Sequence, residues 1–330
     1  MRPLTDALGR KTCPRFCMNE VNLSRSADRG LSIRHRMLIL GIETSCDETA
    51  VSAVEGRGGL KRPHFYVLAH IVSSQIKLHA KWGGVVPSLA KREHSKNLIP
   101  VLEKALGKAK LIHPRATPWG AKGVALNLVK VEPWKTKVGK ILEREPELLK
   151  QFLKFIPTIA VPKIDAIAVT HGPGLEPALW VGVNLARALS LVWEKPLIPV
   201  NHLEGHIYSV LVPTKATPWG AKGVALQFPA LALLISGGHT ELVLIRDWFK
   251  YTILGATRDD AVGEAFDKVA RLLGLPYPGG PAITKLVAQA QTPSVKDAQH
   301  SVLPAWLPLP RPMISSPDFD FSFSGLKTAV

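Results

Sequence analysis

With 330 residues, 46% of them hydrophobic, the chain is long enough for two domains with separate cores, which excludes a disordered tail or a small disulfide-stabilised scaffold. No run of about 18 apolar residues occurs, and an odd count of three cysteines argues against a disulfide framework, so we expect a cytoplasmic protein with no membrane partner. The net charge of +16 admits either a polyanionic partner or a solvated basic surface, and charge alone does not separate them.

The N-terminal segment carries no pattern of regular structure. Residues 1–36 have a net charge of +5 and end directly before Met37. An organelle-targeting peptide and an upstream start that precedes the natural one at Met37 both fit this segment, and we favour the second. In either case we predict a disordered extension outside the fold.

A strand, a polar turn and a second strand open the first predicted domain, at 38–42, 43–49 and 50–54. Three more elements follow in the order strand, helix and strand, at 164–169, 178–193 and 197–200. This alternation of strands and helices indicates an α/β domain with a parallel or mixed sheet.

A basic insertion over 107–163, with a net charge of +8, interrupts that domain. Within it, residues 116–126 form an eleven-residue sequence that returns unchanged at 216–226. Each copy contains Pro, Trp and two Gly, which predicts a surface loop, and we assign the repeat no function. The stretch 139–155 has helical periodicity.

The strand–turn–strand plan of the first domain returns at 229–245, with a glycine-rich tip at 236–238 whose N–H groups can approach an anion closely. The repetition predicts a duplicated architecture. Its parts are a first lobe over 37–212, an inserted linker over 213–228 and a second lobe over 229–330.

Two histidines give the sharpest local signal. His202 and His206 are four residues apart, on one face of a predicted helix, where they can share a metal ion. Pairs at this spacing also occur without a metal, so the pair alone does not establish a site. A zinc peptidase has glutamate directly after its first histidine, whereas Glu204 comes one position later and lies about 200° around the helix from His202. This spacing argues against a peptidase.

Carboxylates occupy two further turns. Asp47 and Glu48 at the first tip would repel a bare phosphate unless a cation mediates. Glu264 and Asp267 are neighbours on a predicted helix that begins near Asp259. Acceptance of hydrogen bonds from a ribose and a role in a capped amphipathic helix remain equal alternatives for this pair.

Seven ordered motifs closely resemble the TsaD family of tRNA N6-adenosine threonylcarbamoyltransferases, once described as O-sialoglycoprotein endopeptidases, and its bacterial members above all. The motifs are GIETSCDETA, GGVVPSLAKREH, THGPGLEPALWVG, NHLEGH, LLISGGHTEL, GEAFDKVARLLGLPYPGGP and DFDFSFSGLKT. The resemblance covers 37–106 and 164–330. It implies an α/β fold of two actin-like lobes (ASKHA, ribonuclease H-like) with an adenylate in the cleft between them.

The resemblance also implies a reaction and its residues. The threonylcarbamoyl group of threonylcarbamoyl-AMP would pass to N6 of adenosine 37 in tRNAs that read codons beginning with A. One Fe²⁺ or Zn²⁺ would be bound by His202 and His206, with Asp47 and Glu48 near the transferred group as catalytic residues. The adenylate would contact Leu234, Ile235, Ser236, Gly237, Gly238, Asp267 and Gly280. TsaB-like and TsaE-like proteins would be partners.

The family pattern continues beyond Val330 with an aspartate for the metal and an asparagine for the nucleotide. We therefore expect a second lobe that is incomplete and a chain of little activity. Two alternatives stay open, a metal-dependent glycoprotein endopeptidase, against which Glu204 counts, and a non-catalytic scaffold of the same fold.

Overall fold

The computed structural model describes residues 36–60, 63–112, 134–212, 226–290 and 309–330. The predicted extension up to residue 35, and the two repeat copies except residue 226, lie outside these ranges. The described residues form two compact units. Unit 1 comprises those within 1–75 and 86–225, and unit 2 those within 76–85 and 226–330. Among the helices of these ranges, none has the length and apolar character needed to cross a bilayer.

Unit 1 is built on a mixed sheet. Its strands are β1 (Arg36–Glu43), β2 (Glu48–Arg57), β3 (His64–Ser74), β4 (Ala166–Gly172) and β5 (Leu197–Asn201). They are ordered β3-β2-β1-β4-β5, with an antiparallel meander of β1, β2 and β3, and with β4 parallel to both β1 and β5. Leu38, Leu40 and Ile42 of β1 are buried, as the two-residue period of a strand requires. The polar turn begins where this buried strand ends.

The first six helices in chain order are α1 (Ile76–His79), α2 (Pro87–Lys108), α3 (Trp134–Ile141), α4 (Pro146–Phe155), α5 (Glu176–Trp193) and α6 (His202–Ser209). Of these, α1 belongs to unit 2 and the rest to unit 1. Helix α5 confirms the helix predicted from the spacing over 178–193.

The described part of the basic insertion contributes to the core of unit 1. Val138, Leu142, Leu148 and Phe152 are fully inaccessible and pack in the same cluster as the strands. Each such side chain stabilises the fold by about 1.5–3 kcal/mol. The helical periodicity predicted over 139–155 is confirmed, but it divides into α3 and α4 because Pro146 has no N–H to continue a helix and instead opens the next one.

Unit 2 contains the same three-stranded antiparallel arrangement with which unit 1 begins. Strands β6 (Ala230–Ile235), β7 (Thr240–Asp247) and β8 (Lys250–Ala256) form a second antiparallel meander. Helices α7 (Val262–Leu272), α8 (Gly279–Ala290) and α9 (Ser324–Ala329) follow. Arg271 Nη2 donates to the carbonyl of Gly83 at 2.8 Å, which ties 76–85 to this unit. The prediction of a duplicated α/β architecture is confirmed.

The turn after β8 holds the last described segment of unit 2. Asp259 accepts hydrogen bonds from the hydroxyls of Ser322 (2.5 Å) and Ser324 (2.7 Å) and from the N–H of Phe323 (2.8 Å). Next to it, Arg258 pairs with two carboxylates of the same segment, at 2.5 and 2.8 Å. The motif DFDFSFSGLKT is therefore fastened to this turn by its serines and aspartates.

Stability against acid should depend on Asp259. Burial alone would raise its pKa, but the hydrogen bonds from Phe323, Ser322 and Ser324 outweigh burial and lower the pKa to about 2, below the ordinary 3.8. Stabilisation is therefore complete above pH 4 and is lost as the pH falls toward 2. Solvent screening limits the contribution of ionised Asp259 to the free energy of unfolding to about 1 kcal/mol. We expect Asp259→Asn to lower the free energy of unfolding in urea at pH 6, with a difference from wild type that disappears near pH 2. The exposed Glu103→Gln control should show no such trend.

Candidate functional site

The two histidines lie together in unit 1, as predicted. Helix α6 starts at His202 because Asn201 caps it, accepting from the N–H groups of Leu203 at 2.8 Å and Glu204 at 3.3 Å. One turn later His206 stacks edge-on against His202, with 4.5 Å between ring centroids and 3.0 Å between the two Nε2 atoms. Both Nε2 atoms therefore lie at the distance that two ligands of one small cation need.

A carboxylate missed by the sequence analysis orients this pair. Oε2 of Glu43, at the end of β1, lies 3.3 Å from Nδ1 of His202, and Oγ of Ser45 lies 3.2 Å from the same nitrogen. Because an ionised carboxylate only accepts, we assign the proton of His202 to Nδ1, which leaves the Nε2 lone pair beside His206. Metal-binding histidines are commonly oriented in this way. The single sequence signal for Glu43 is a carboxylate directly after a buried strand.

Hydrogen bonds from neighbouring side chains keep Glu43 ionised. Burial alone would raise its pKa, but hydrogen bonds from His202, Ser45 and Thr170 outweigh burial and lower the pKa to about 2. For His206, burial first and the adjacent His202 second lower the pKa, with Glu43 opposing them. At neutral pH the site thus has an anionic Glu43 and a neutral His206, the form that binds metals.

The donor set fits part of a metal site. Within the described ranges, no three His, Cys, Asp or Glu side chains are arranged to hold one ion. A catalytic zinc centre has three protein ligands and an open position. His202 and His206 therefore fit two ligand positions of Fe²⁺ or Zn²⁺. Cys46 is not placed to complete such a group of three within the described ranges.

The turn after β1 is packed against the start of α5. The N–H of Leu175 donates to Ser45 O at 2.7 Å, and the hydroxyl of Thr44 donates to Ala178 O at 2.9 Å. Gly174 has a φ of 157° and approaches so closely that an added Cβ would lie 2.6 Å from Ser45 O. The glycines of THGPGLEPALWVG therefore make room for the turn that contains Glu43.

Replacing Gly182 with alanine should destabilise this contact. An added Cβ would meet the hydroxyl of Thr44, which is fully buried and hydrogen-bonded. We expect overpacking to lower the free energy of unfolding by about 1–3 kcal/mol, although alanine favours helices. Gly205→Ala in α6 is the matched control, since nothing lies within 4 Å of its added Cβ. Urea denaturation should show a loss for Gly182→Ala and a small gain for Gly205→Ala; equal gains would contradict the contact.

A buried histidine holds the segment that contains Asp47 and Glu48. His94 of α2 has no exposed surface, and its Nε2 lies 3.0 Å from Cys46 O while its Nδ1 lies 2.7 Å from the hydroxyl of Thr49. The carbonyl only accepts, so we place the proton on Nε2 and let Nδ1 accept from Thr49. Both flanks of the two predicted catalytic carboxylates are thereby anchored.

His94 is the last residue of the motif GGVVPSLAKREH, and the sequence analysis assigned it no role. Its sequence signal is a polar residue in line with the buried Ala90 and Leu98 on the apolar face of α2. Asp47 and Glu48 themselves, half-buried and exposed, make no hydrogen bond to either imidazole within the described residues.

In unit 2 the glycine turn is partly closed by its own serine. Ser236 Oγ accepts from the N–H groups of Gly238 (3.3 Å) and His239 (3.0 Å). This turn was expected to bind an anion through its N–H groups, and within the described residues the N–H of Gly237 has no partner. A Cβ added at Gly237 or Gly238 would face open space. Gly263 of α7 packs below, where an added Cβ would lie 2.8 Å from Ser236 O. The turn is thus a rigid structure with one free N–H.

The other predicted adenylate residues of unit 2 differ in accessibility. Leu234 is buried and Ile235 is exposed. Asp267 accepts from the N–H of Gly279 at 2.7 Å, so one carboxylate oxygen helps to start α8. Gly280 faces open space, with no atom within 4 Å of an added Cβ.

Comparisons with known proteins agree with the motifs. The family model "TsaD: tRNA N6-adenosine threonylcarbamoyltransferase" matches residues 66–114 and 142–330. Relatives of that name include those of Thermomicrobium roseum, 44% identical over 295 residues, and Persephonella marina, 42% identical over 297 residues. Each alignment covers 89% of this chain and 61% or 64% of the relative, respectively, so the chain spans less than two thirds of these proteins. Among solved structures, YeaZ from Pseudomonas aeruginosa is 12% identical, with a TM-score of 0.28 over 66% of this chain and 68% of that one. With the family model matching most of its length, the chain belongs to the TsaD family.

Proposed function

We propose that the chain transfers the threonylcarbamoyl group from threonylcarbamoyl-AMP to N6 of adenosine 37 in tRNAs that read codons beginning with A. The observation that supports this most is the His202–His206 pair with its Glu43 partner, in a chain of the TsaD family. We place the reaction in the cytoplasm, with TsaB-like and TsaE-like proteins as partners.

The chemistry divides among the residues as follows. The N6 amine of adenosine forms a bond to the carbamoyl carbon, the bond from that carbon to the adenylate oxygen breaks, and one amine proton is released. A divalent cation bound by His202 and His206 would polarise the carbamoyl oxygen and stabilise the charge on departing AMP. Glu43 keeps the His202 proton on Nδ1, and Asp47 and Glu48 are assigned to the transferred group.

The adenylate is assigned to unit 2. Open space at Gly237, Gly238 and Gly280 supports close approach of a ligand to the backbone there. The assigned contacts are Leu234, Ile235, Ser236, Gly237, Gly238, Asp267 and Gly280.

The contacts of Glu204 favour transfer over peptide hydrolysis. Its backbone N–H bonds to Asn201, and its carboxylate makes no hydrogen bond to His202 or His206. A metallopeptidase needs that carboxylate beside the metal-bound water. The position of Glu204, about 200° around the helix from His202, therefore counts against the glycoprotein endopeptidase alternative.

The test is formation of modified adenosine. The chain is incubated with threonylcarbamoyl-AMP, an unmodified tRNA transcript and Fe²⁺ or Zn²⁺, with and without the two partner proteins, and nucleosides are analysed by mass spectrometry. We expect a low yield of product that is lost in the double variant His202→Ala and His206→Ala and kept in Glu204→Gln. Absence of product in every mixture would overturn the proposal. Product that survives the double histidine variant would indicate a scaffold, and glycoprotein cleavage that Glu204→Gln abolishes would indicate a peptidase.

A further inference from the structure

Helix α3 lies outside the residues that the family model matches. The TsaD family model stops at residue 114 and resumes at residue 142, so Trp134–Ile141 lies outside the match. The helix is nevertheless docked, since Val138 is fully buried and Trp134 meets Phe152 of α4 edge-on, with 6.3 Å between ring centroids. This unmatched segment is therefore packed against the core of unit 1.

The outward side of α3 and α4 is basic. Five exposed cations form what we call the basic surface: Lys137, Lys140, Arg144, Lys150 and Lys154. The exposed carboxylates of the same stretch are Glu143 and Glu147, and the latter accepts a hydrogen bond from Gln151 at 3.0 Å. Glu145 is buried, with Lys91 at 3.5 Å and Asn184 at 3.3 Å, so its charge is turned inward. The cations thus outnumber the carboxylates that share their surface.

The described residues do not neutralise these cations. Within the described ranges none of the five forms an ion pair, whereas Lys268 and Arg258 of unit 2 each contact two carboxylates. Lys137 and Lys140, and likewise Lys150 and Lys154, are three or four residues apart, which puts their Cβ atoms about 5–6 Å from each other. Like charges at this spacing repel. An external polyanion would relieve that repulsion.

We propose that the basic surface docks the sugar–phosphate backbone of tRNA. The inference rests on the proposed function, which supplies a nucleic acid as substrate, and it adds a binding site of which Lys137 and Lys140 lie in the segment that the family model does not match. Lysine and arginine without neighbouring exposed aromatic rings bind phosphates and do not read bases. The surface should therefore raise affinity for tRNA in general and leave the choice of adenosine to the reaction site.

The test is the salt dependence of tRNA binding. Fluorescence anisotropy with a labelled tRNA transcript is recorded from 50 to 300 mM KCl, roughly the range over which phosphate contacts weaken. The quintuple variant replaces all five cations of the basic surface with glutamine. Because each phosphate contact contributes about 0.7–0.9 to the slope of log K against log salt, we expect a slope shallower by about 3–5 and at least about tenfold weaker binding at 50 mM.

A matched control removes the same charges elsewhere. It changes four exposed lysines and one exposed arginine to glutamine: Lys77, Lys81, Lys104, Lys285 and Arg246. This variant should keep a slope within about 1 of the wild-type value. Circular dichroism and Zn²⁺ titration of both variants should match the wild type, since the changed side chains are exposed and lie outside the histidine pair.

The outcomes separate this inference from the proposed function. Equal salt slopes for wild type and quintuple variant, or no tRNA binding by wild type, would overturn the docking surface. Polyglutamate provides a competitor of the same charge. If it displaces tRNA at equal charge concentration, and if the quintuple variant loses as much affinity for polyglutamate as for tRNA, the surface fits an acidic protein and the tRNA assignment is wrong. If the expected slopes are found but no modified adenosine forms, the docking surface stands and the proposed reaction falls.

Discussion

Replacing Glu43 with glutamine is expected to weaken Zn²⁺ binding by about 10- to 100-fold, the usual effect of losing the partner that orients a metal-binding histidine. In the wild type the anionic Glu43 lies 3.3 Å from Nδ1 of His202 and keeps the proton there. A neutral amide no longer requires that tautomer. His202 can then carry its proton on Nε2, which removes the lone pair beside His206.

Isothermal titration calorimetry with Zn²⁺ at pH 7.5 measures the effect, and Glu204→Gln is the matched control. Glu204 lies in the helix of the two histidines, is also a glutamate and makes no hydrogen bond to either imidazole. We expect control affinity within about twofold of wild type, because a surface charge change of this kind contributes about 0.5 kcal/mol or less. Equal affinities for Glu43→Gln and wild type would show that the 3.3 Å contact does not orient the ligand.

Replacing His94 with alanine is expected to lower the free energy of unfolding by about 3–5 kcal/mol. The change leaves a cavity in the core and removes the partners of Cys46 O and of the Thr49 hydroxyl, each of which costs about 1–3 kcal/mol when left unsatisfied. Asp47 and Glu48 lie between those two anchors. We therefore also expect kcat for adenosine modification to fall by at least about tenfold, as misplaced catalytic groups generally cause.

The rescue and the control for His94 use its hydrogen-bond partners. Thr49→Ser keeps the hydroxyl 2.7 Å from Nδ1 in place and should stay near wild type, whereas Thr49→Val removes it and should reproduce part of the kcat loss. Zn²⁺ affinity reports on the histidine pair and should not change in any of the three variants. A fall in stability with kcat unaltered would reduce His94 to a core residue with no positioning role.

Local sequence patterns predicted some of the elements and one pair within the candidate site. The four-residue spacing of His202 and His206 is enough to put both rings on one helix face, because an α-helix turns once in 3.6 residues. Apolar stretches on either side of a turn likewise located β1, β2, β6 and β7. The helical period over 139–155 was visible too, but the start of α3 at Trp134 and the break at Pro146 between α3 and α4 were missed.

Tertiary structure decided which residues complete the site. Glu43 meets His202 across 159 residues of sequence, and His94 meets Thr49 across 45, through strand register and helix packing that no local period records. The same holds for the glycine turn, where the hydroxyl of Ser236 takes two N–H groups that the sequence left open for an anion. Composition gave the amount of positive charge in the insertion. Burial of Val138 and Phe152 decided that its cations are displayed on a rigid surface, because apolar side chains leave water and turn the opposite helix faces outward.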